Sequence, residues 1–348
     1  MKRTAAFVVT VALILVVFPL AAQTPRSTAA VQPIATIGDL HVLPVKGNVY
    51  MLVGAGGNIT LQIGNDGVLL VDTGIGRTAD PVIAIIKQIT DKPIRWIVNT
   101  HFHIDHTGGN EAIAKAGSAI PQIATGVGKL FVGEEKVATI VAHDAVLRRM
   151  SAPTGEVAPR LVAAWPAMTF VGDQREMYFN DEALFIIHQP AAHTNGDSIV
   201  FFRQSDVVAA GDVYINTSYP VIDMMSGGTI NGEIEALNRI LDITVAKEKE
   251  EGGTYVIPGH GRLADEADIF AYRNMVTIIR DRIQDLKKKG MSLAQIKATR
   301  PTLDFDRRYS TPSLTADMFI DAVYQTLPAE AAAPAQNSGR SQRPNQGQ

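Results

Sequence analysis

Apolar and polar positions change period several times along this chain, and each change marks an element. ITLQI, Ile59 to Ile63, alternates and predicts a half-buried strand. Gly64-Asn65-Asp66-Gly67 offers a hairpin turn, and VLLV, Val68 to Val71, returns as a buried strand closed by Asp72-Thr73-Gly74. Asp80-Pro81 opens a helix, an acidic cap followed by proline at the first helical position, and VIAIIKQIT continues it. RWIVNT, Arg95 to Thr100, is a strand that runs straight into the stretch THFHIDHTGG. Asn110 to Ala116 predicts a short helix stopped at Gly117, and IVAH, Ile140 to His143, a buried strand with a helical stretch to Met150.

The second half repeats the rhythm. REMYFN and EALFIIHQ predict a hairpin about Asn180-Asp181, and PAAHTNGD is a loop. SIVFF and DVVAA are strands, the second ending at Gly211-Asp212. In NGEIEALNRILDIT, Ile234, Leu237, Ile240 and Leu241 fall at helical spacing. TYVI, Thr254 to Ile257, is a last strand and ends in Pro258-Gly259-His260-Gly261. Ile269, Phe270, Met275, Ile278, Ile279, Ile283 and Leu286 then form a helical stripe that stops at Gly290, and Ser292 with Gln295 predicts a capping box. A final helix near Ser313 to Leu327 reads as a layer over the core; lining a substrate pocket is the other reading. Ser118 to Thr139 and Ser151 to Pro166 suit either flaps over a site or plain surface loops.

The two ends differ from this pattern. Lys2 and Arg3 precede an apolar run from Ala5 to Ala22 that closes in small residues, the form of a secretory signal peptide over 1–23. A retained membrane anchor facing the periplasm is the alternative, since about 18 apolar residues just span a bilayer. Both place the folded part outside the cytoplasm, in the periplasm or secreted. Residues 24–37 read as a linker, and 328–348, rich in Pro, Gln and Ser, as a disordered tail.

Composition narrows the chemistry. With 46% hydrophobic residues, 19% charged and a net charge of −3, the chain has material for a core and no electrostatic footprint for nucleic acid. The absence of cysteine excludes disulfides, thiolate metal ligands and a catalytic thiol. Against eight histidines in all, HFHIDH places His101, His103 and His106 beside Asp105. Imidazole and carboxylate are costly to bury unless paired, so such a cluster points to metal. His101 and His103, two apart in an extended chain, face the same side and can share one ion; Asp105 and His106 follow as the chain turns and can bind a second. Downstream, His193, Asp212 and His260 each sit in a loop after an apolar strand, where a rigid sheet holds a site. His188 and His143 lie within strands and read as strand or core histidines, and His41 has no supporting context. Tyr214 and Asn216, just past Asp212, read as loop residues, with donation to a developing oxyanion as the other reading.

HxHxDH, a later histidine, a Gly-Asp after a strand and a final Gly-His resemble the metallo-β-lactamase superfamily of metallohydrolases. The match runs over roughly Asn48 to Gly261 and includes VDTG, Val71 to Gly74. The resemblance implies an α+β fold, an αββα four-layer sandwich over 38–262, here with added C-terminal helices over 263–327. It implies two Zn²⁺ per chain: one held by His101, His103 and His193, the other by Asp105, His106 and His260, with Asp212 bridging. A water between the ions, its pKa lowered toward about 7, would be the nucleophile, and Asp105 would help orient it. Asp72 would brace the ligand loop; a strand-end cap is its other reading.

A bridging aspartate without a cysteine ligand is similar to the glyoxalase-II-like and lactonase-like branches. The expectation is therefore an exported dinuclear zinc hydrolase that cleaves a carbonyl-type bond (lactone, ester, thioester or amide) in a small molecule. It would act without nucleic acid and without a membrane span once the signal is removed. A β-lactamase is the alternative within enzymes, and an exported metal-binding protein without turnover is the alternative outside them.

Overall fold

The first sheet begins earlier than the alternating pattern suggests. In the computed structural model, which describes residues 32–120, 137–153, 160–249 and 252–328, Ala35–Ile37 forms β1. These residues, read above as the end of a linker, pair antiparallel with β2 (Leu40–Lys46). β3 (Val49–Val53), β4 (Ile59–Gly64) and β5 (Gly67–Val71) continue the antiparallel run. From β5 the sheet turns parallel through β6 (Ile94–Val98), β7 (Thr139–His143) and β8 (Met168–Phe170), so these strands lie in sequence order. The helices α1 (Ala79–Ile89), α2 (Ile104–Thr107), α3 (Asn110–Ala116) and α4 (Asp144–Ser151) fall between or after the parallel strands. The signal segment, the tail past Pro328, and parts of both candidate flaps lie outside the described residues.

The second sheet holds β9 (Gln174–Phe179), β10 (Glu182–Gln189), β11 (Asp197–Phe202), β12 (Val207–Ala209), β13 (Tyr255–Ile257) and β14 (Ala264–Asp265), in the order β14-β13-β12-β11-β10-β9. Its hairpin turns where Asn180-Asp181 predicted. Both residues have positive φ (52° and 63°), the left-handed pair a two-residue hairpin needs and Asn and Asp tolerate. β12 and β13 are parallel, and α5 (Ile230–Ile243) lies in the crossover between them. α6 (Glu266–Lys288), α7 (Leu293–Thr299), α8 (Leu303–Tyr309) and α9 (Ala316–Thr326) follow. The Ser292–Gln295 capping box forms in both directions.

Three apolar clusters give the layers. Val49, Met51, Leu69 and Val71 of the first sheet pack against Leu184, Ile186, Val200 and Phe202 of the second. Val82, Ile85 and Ile86 of α1, with Ile113 of α3, cover the outer face of the first sheet. Residues of α5, α6 and α9, among them Leu237, Ile279 and Phe319, cover the second through Ile199, Phe201, Val208 and Val256. The result is the expected αββα sandwich. The C-terminal helices share a core with the second sheet, and the described residues from Gln32 to Pro328 belong to one compact unit. Among the described residues no helix is long and apolar enough to cross a membrane.

Candidate metal centre

Loops at the ends of buried strands bring the seven expected residues together. Asp72 directly follows β5 at a positive φ of 65°, and His101 lies three residues beyond β6. Asp105 and His106 ride on the single helical turn of α2, where the sequence suggested only a loop. His193 follows β10, Asp212 follows β12, and His260 follows β13. Ligand atoms gather in three overlapping groups: His101, His103 and His193; His101, His106 and Asp212; Asp105, His106 and His260. Two glycines permit the approach. A Cβ at Gly57 would meet the His106 ring, and one at Gly259 would overlap Asp212 Oδ1.

The hydrogen bonds set which nitrogen of each ring is bare. His106 Nδ1 lies 2.8 Å from Asp72 Oδ2, which can only accept, so Nδ1 carries the proton and Nε2 faces inward. Thr100 Oγ1 donates to Asp72 Oδ2 at 2.7 Å and so accepts from His101 Nδ1 at 3.0 Å, leaving His101 Nε2 bare. His193 Nδ1 donates to the Val221 carbonyl at 2.6 Å. His103 runs the other way: its Nε2 donates to Asp223 Oδ2 at 3.1 Å and its Nδ1 faces the cluster.

For His103 and His193 these assignments leave lone pairs pointing at one another, 2.9 Å apart. His106 Nε2 stands 3.3 Å from His260 Nε2 and 3.1 Å from Asp212 Oδ1, and His260 Nε2 lies 3.1 Å from Asp105 Oδ2. His101 Nε2 is buried without any hydrogen-bond partner. Bare nitrogens repel unless a cation lies between them. Zinc bonds near ~2.0–2.1 Å put tetrahedral ligands ~3.3 Å from each other, so the donor set fits the ion. Asp212 offers a different oxygen to each side. Its Oδ2 lies 4.0 Å from His101 and 3.8 Å from His193, while its Oδ1 lies 3.1 Å from His106 and 3.5 Å from His260.

Electrostatics divide the cluster. Burial, then the neighbouring His106, holds the His101 pKa well below its ordinary value; burial also lowers that of His193. Both stay neutral, the state a metal ligand needs. His106 and His260 go the other way: burial opposes their charge, but Asp212 and Asp72 push the His106 pKa well up, and Asp105 and Asp212 raise that of His260. Burial works against charge on Asp212, but the His106 ring outweighs it and keeps the carboxylate ionised. The open side of the cluster is marked by Asp105 and His260, whose side chains are 33% and 31% exposed, against at most 1% for His101, His106 and His193.

Several contributors carry no local sequence signal. Asp223 orients His103 across 120 positions of chain. Asn99 and Asn110 exchange hydrogen bonds beneath the loop, and Thr73 ties Asn110 to the His106 carbonyl. Glu233, in the first turn of α5, is buried with neither carboxylate oxygen hydrogen-bonded; burial, then the nearby Asp197 and Asp212, push its pKa well up.

The remaining candidates take structural roles. Tyr214 packs edge-on against Tyr272, and Asn216 clamps Arg262 through both backbone groups, the loop role. His143 and His188 stack on each other at 3.5 Å, half-buried, and His41 meets Thr36 at the surface.

The sequence model of the metallo-beta-lactamase superfamily matches residues 52–260. A linear primary-alkylsulfatase from Pseudomonas sp. (strain ATCC 19151) is 32% identical over 83 residues, 24% of this chain and 15% of that relative's length. Among solved structures, a variant of the sec-alkyl sulfatase PisA1 aligns with a TM-score of 0.56 at 18% identity, covering 82% of this chain and 49% of that one. A metallo-beta-lactamase from Pontibacter korlensis aligns with a TM-score of 0.50 at 16% identity, covering 68% and 99%. At these identities the structural likenesses speak for the fold.

Proposed function

Because the chain belongs to the metallo-β-lactamase superfamily, whose members are mostly hydrolases, we propose that it is an exported dinuclear zinc hydrolase acting on a small molecule. The observation that carries this reading is Asp212, which turns one oxygen toward the His101–His193 side and the other toward the His106–His260 side. In this assignment His101, His103 and His193 hold one ion, Asp105, His106 and His260 the other, and Asp212 both.

Zinc bound there supplies Lewis acidity toward a substrate oxygen and lowers the pKa of a water to about 7. The chain's own residues do the rest. Asp72, Thr100, Val221 and Asp223 hold protons on the outward ring nitrogens, so the inward ones stay available. Asp105, on the open side, orients the attacking water through its carboxylate. The bond cleaved is of carbonyl type: a lactone, ester, thioester or amide.

A second reading, cleavage of a sulfate ester to an alcohol and sulfate, is favoured by the match to the alkylsulfatase. Metal analysis of the purified chain tests the site, with about two zinc ions expected. A panel of lactams, lactones, thioesters, carboxylic esters and alkyl sulfates then separates the substrate classes. Zinc bound without turnover of any of them would overturn the enzymatic reading in favour of a metal-binding protein. Sequencing the mature N-terminus tests export, with cleavage expected near Ala22 or Gln23.

A further inference from the structure

Four of the five imidazoles in the cluster have their outward ring nitrogen hydrogen-bonded: His101 to Thr100, His103 to Asp223, His106 to Asp72 and His193 to Val221. His260 is the exception. Its Nε2 lies 3.1 Å from Asp105 Oδ2, and among the described residues no hydrogen bond fixes its Nδ1. A histidine that binds metal is ordinarily oriented through that second nitrogen. The His260 ring therefore depends on how its backbone is placed.

That backbone is held with unusual completeness. His260 stands in the middle of residues 258–262, and all five carbonyls of this stretch accept from two asparagines elsewhere in the chain. Asn58, directly before β4, donates its backbone N–H to the Gly259 carbonyl at 2.7 Å. Its side-chain amide donates to the Pro258 and Gly261 carbonyls at 2.9 and 3.0 Å. Asn216 donates its backbone N–H to the His260 carbonyl at 3.3 Å and its Nδ2 to the Arg262 carbonyl at 2.7 Å. Its Oδ1 accepts from the Arg262 N–H at 3.1 Å, so the side chain uses both halves of an amide, which no carboxylate or ammonium could do. Gly261 makes room for this: its φ is 108°, and a Cβ there would stand 1.9 Å from Asn216 Oδ1. Asn58 comes from the edge of a first-sheet strand and Asn216 from the loop that carries Asp212. The His260 loop is thus tied both to the opposite half of the sandwich and to the turn of the shared carboxylate.

We infer that Asn58 and Asn216 are positioning residues for His260: by fixing the backbone of 258–262 they set the reach of its ring toward Asp105 and Asp212, and so the strength with which the second ion is held. The inference rests on the two-ion reading above.

Stepwise zinc affinities of the full chain, read by competition with a chromophoric chelator, test it. His260→Ala should weaken one of the two binding steps. Asn58→Ala and Asn216→Ala should each weaken the same step by about 10–100-fold and leave the other within about twofold. A double-mutant cycle separates positioning from a general loosening of the fold. In the His260→Ala background either asparagine substitution should add less than about twofold, whereas loosening would lower both steps and persist without His260. Asn58→Leu and Asn216→Leu, similar in size and without the amide, replace any alanine variant that fails to fold. Asparagine variants that hold both ions like the wild type, or that weaken zinc further once His260 is gone, would overturn the positioning role and leave the two-ion assignment standing. A His260→Ala chain that binds both ions like the wild type would overturn that assignment, and the positioning role with it.

Discussion

Asp72 Oδ2 accepts from His106 Nδ1 at 2.8 Å and from Thr100 Oγ1 at 2.7 Å, while its Oδ1 accepts from the Thr100 N–H at 2.8 Å. One buried carboxylate thus fixes the orientation of two rings of the cluster, His106 directly and His101 through Thr100. Asp72→Asn keeps the shape and tolerates the positive φ, but loses the charge and one acceptor. Its zinc affinity should fall about 10–100-fold, read by competition with a chromophoric chelator. Asp72→Ala strands three buried donors and should cost on the order of 3–5 kcal/mol in denaturant unfolding. Unchanged zinc affinity in Asp72→Asn would leave the residue only a strand-end cap.

If the cluster holds metal as proposed, the facing nitrogens of His103 and His193 and the partnerless His101 Nε2 make the metal-free chain the less stable one. A ligand at a thousandfold excess over its Kd stabilises by ~4.1 kcal/mol. Chelation should therefore lower the melting temperature by on the order of 10 °C, restored by zinc. Asp212→Ala removes the shared carboxylate, and bound zinc should drop from about two ions to about one or fewer. Two ions retained in that variant would remove the bridging role.

The gathering of the seven cluster residues was legible in the sequence because each stands within a few residues of an apolar strand, and strand ends keep their place when a sheet forms. The Asn180-Asp181 turn and the Ser292–Gln295 box were legible because their physics is local. Asp223 was not, since its meaning lies in a contact with His103, and nothing in VIDMM announces that partner. β1 was missed for a related reason: three residues carry too little pattern, and only pairing with β2 makes Ala35–Ile37 a strand. Glu233 reads on paper as a solvated helix residue, yet α5 turns it inward beside Asp197 and Asp212.

That inward turn has a measurable consequence. Burial, then Asp197 and Asp212, hold the folded pKa of Glu233 well above its ordinary 4.5, so the folded chain keeps a proton that the unfolded chain releases. Stability linked to Glu233 is complete below about pH 4.5 and is lost as pH rises above it, at up to ~1.4 kcal/mol per pH unit. In the metal-free chain, Glu233→Gln should flatten the fall in unfolding free energy between about pH 5 and 8. An identical pH slope in the two proteins would mean that Glu233 is ionised in the fold.

The His143–His188 stack acts with the opposite sign. Burial, then the His188 ring, push the His143 pKa down to about 4 from 6.5; Asp144 opposes this and Arg148 adds to it. The unfolded chain therefore takes up this proton first, and stability is lost as pH falls from about 6.5 toward 4. His143 is half-exposed, so solvent screens part of the effect. Protonation has a structural cost as well, because His143 Nδ1 accepts from the Ala145 N–H as the cap of α4, and an imidazolium cannot accept. α4 in turn packs Val146 and Met150 against Phe102, between His101 and His103 of the cluster. His143→Asn keeps a capping acceptor and removes the titration. Its thermal stability should match the wild type near pH 7.5 and exceed it near pH 4.5, with less zinc lost on acidification. Parallel acid limbs in the two proteins would assign the low-pH loss to the metal ligands themselves and remove the stack from the account.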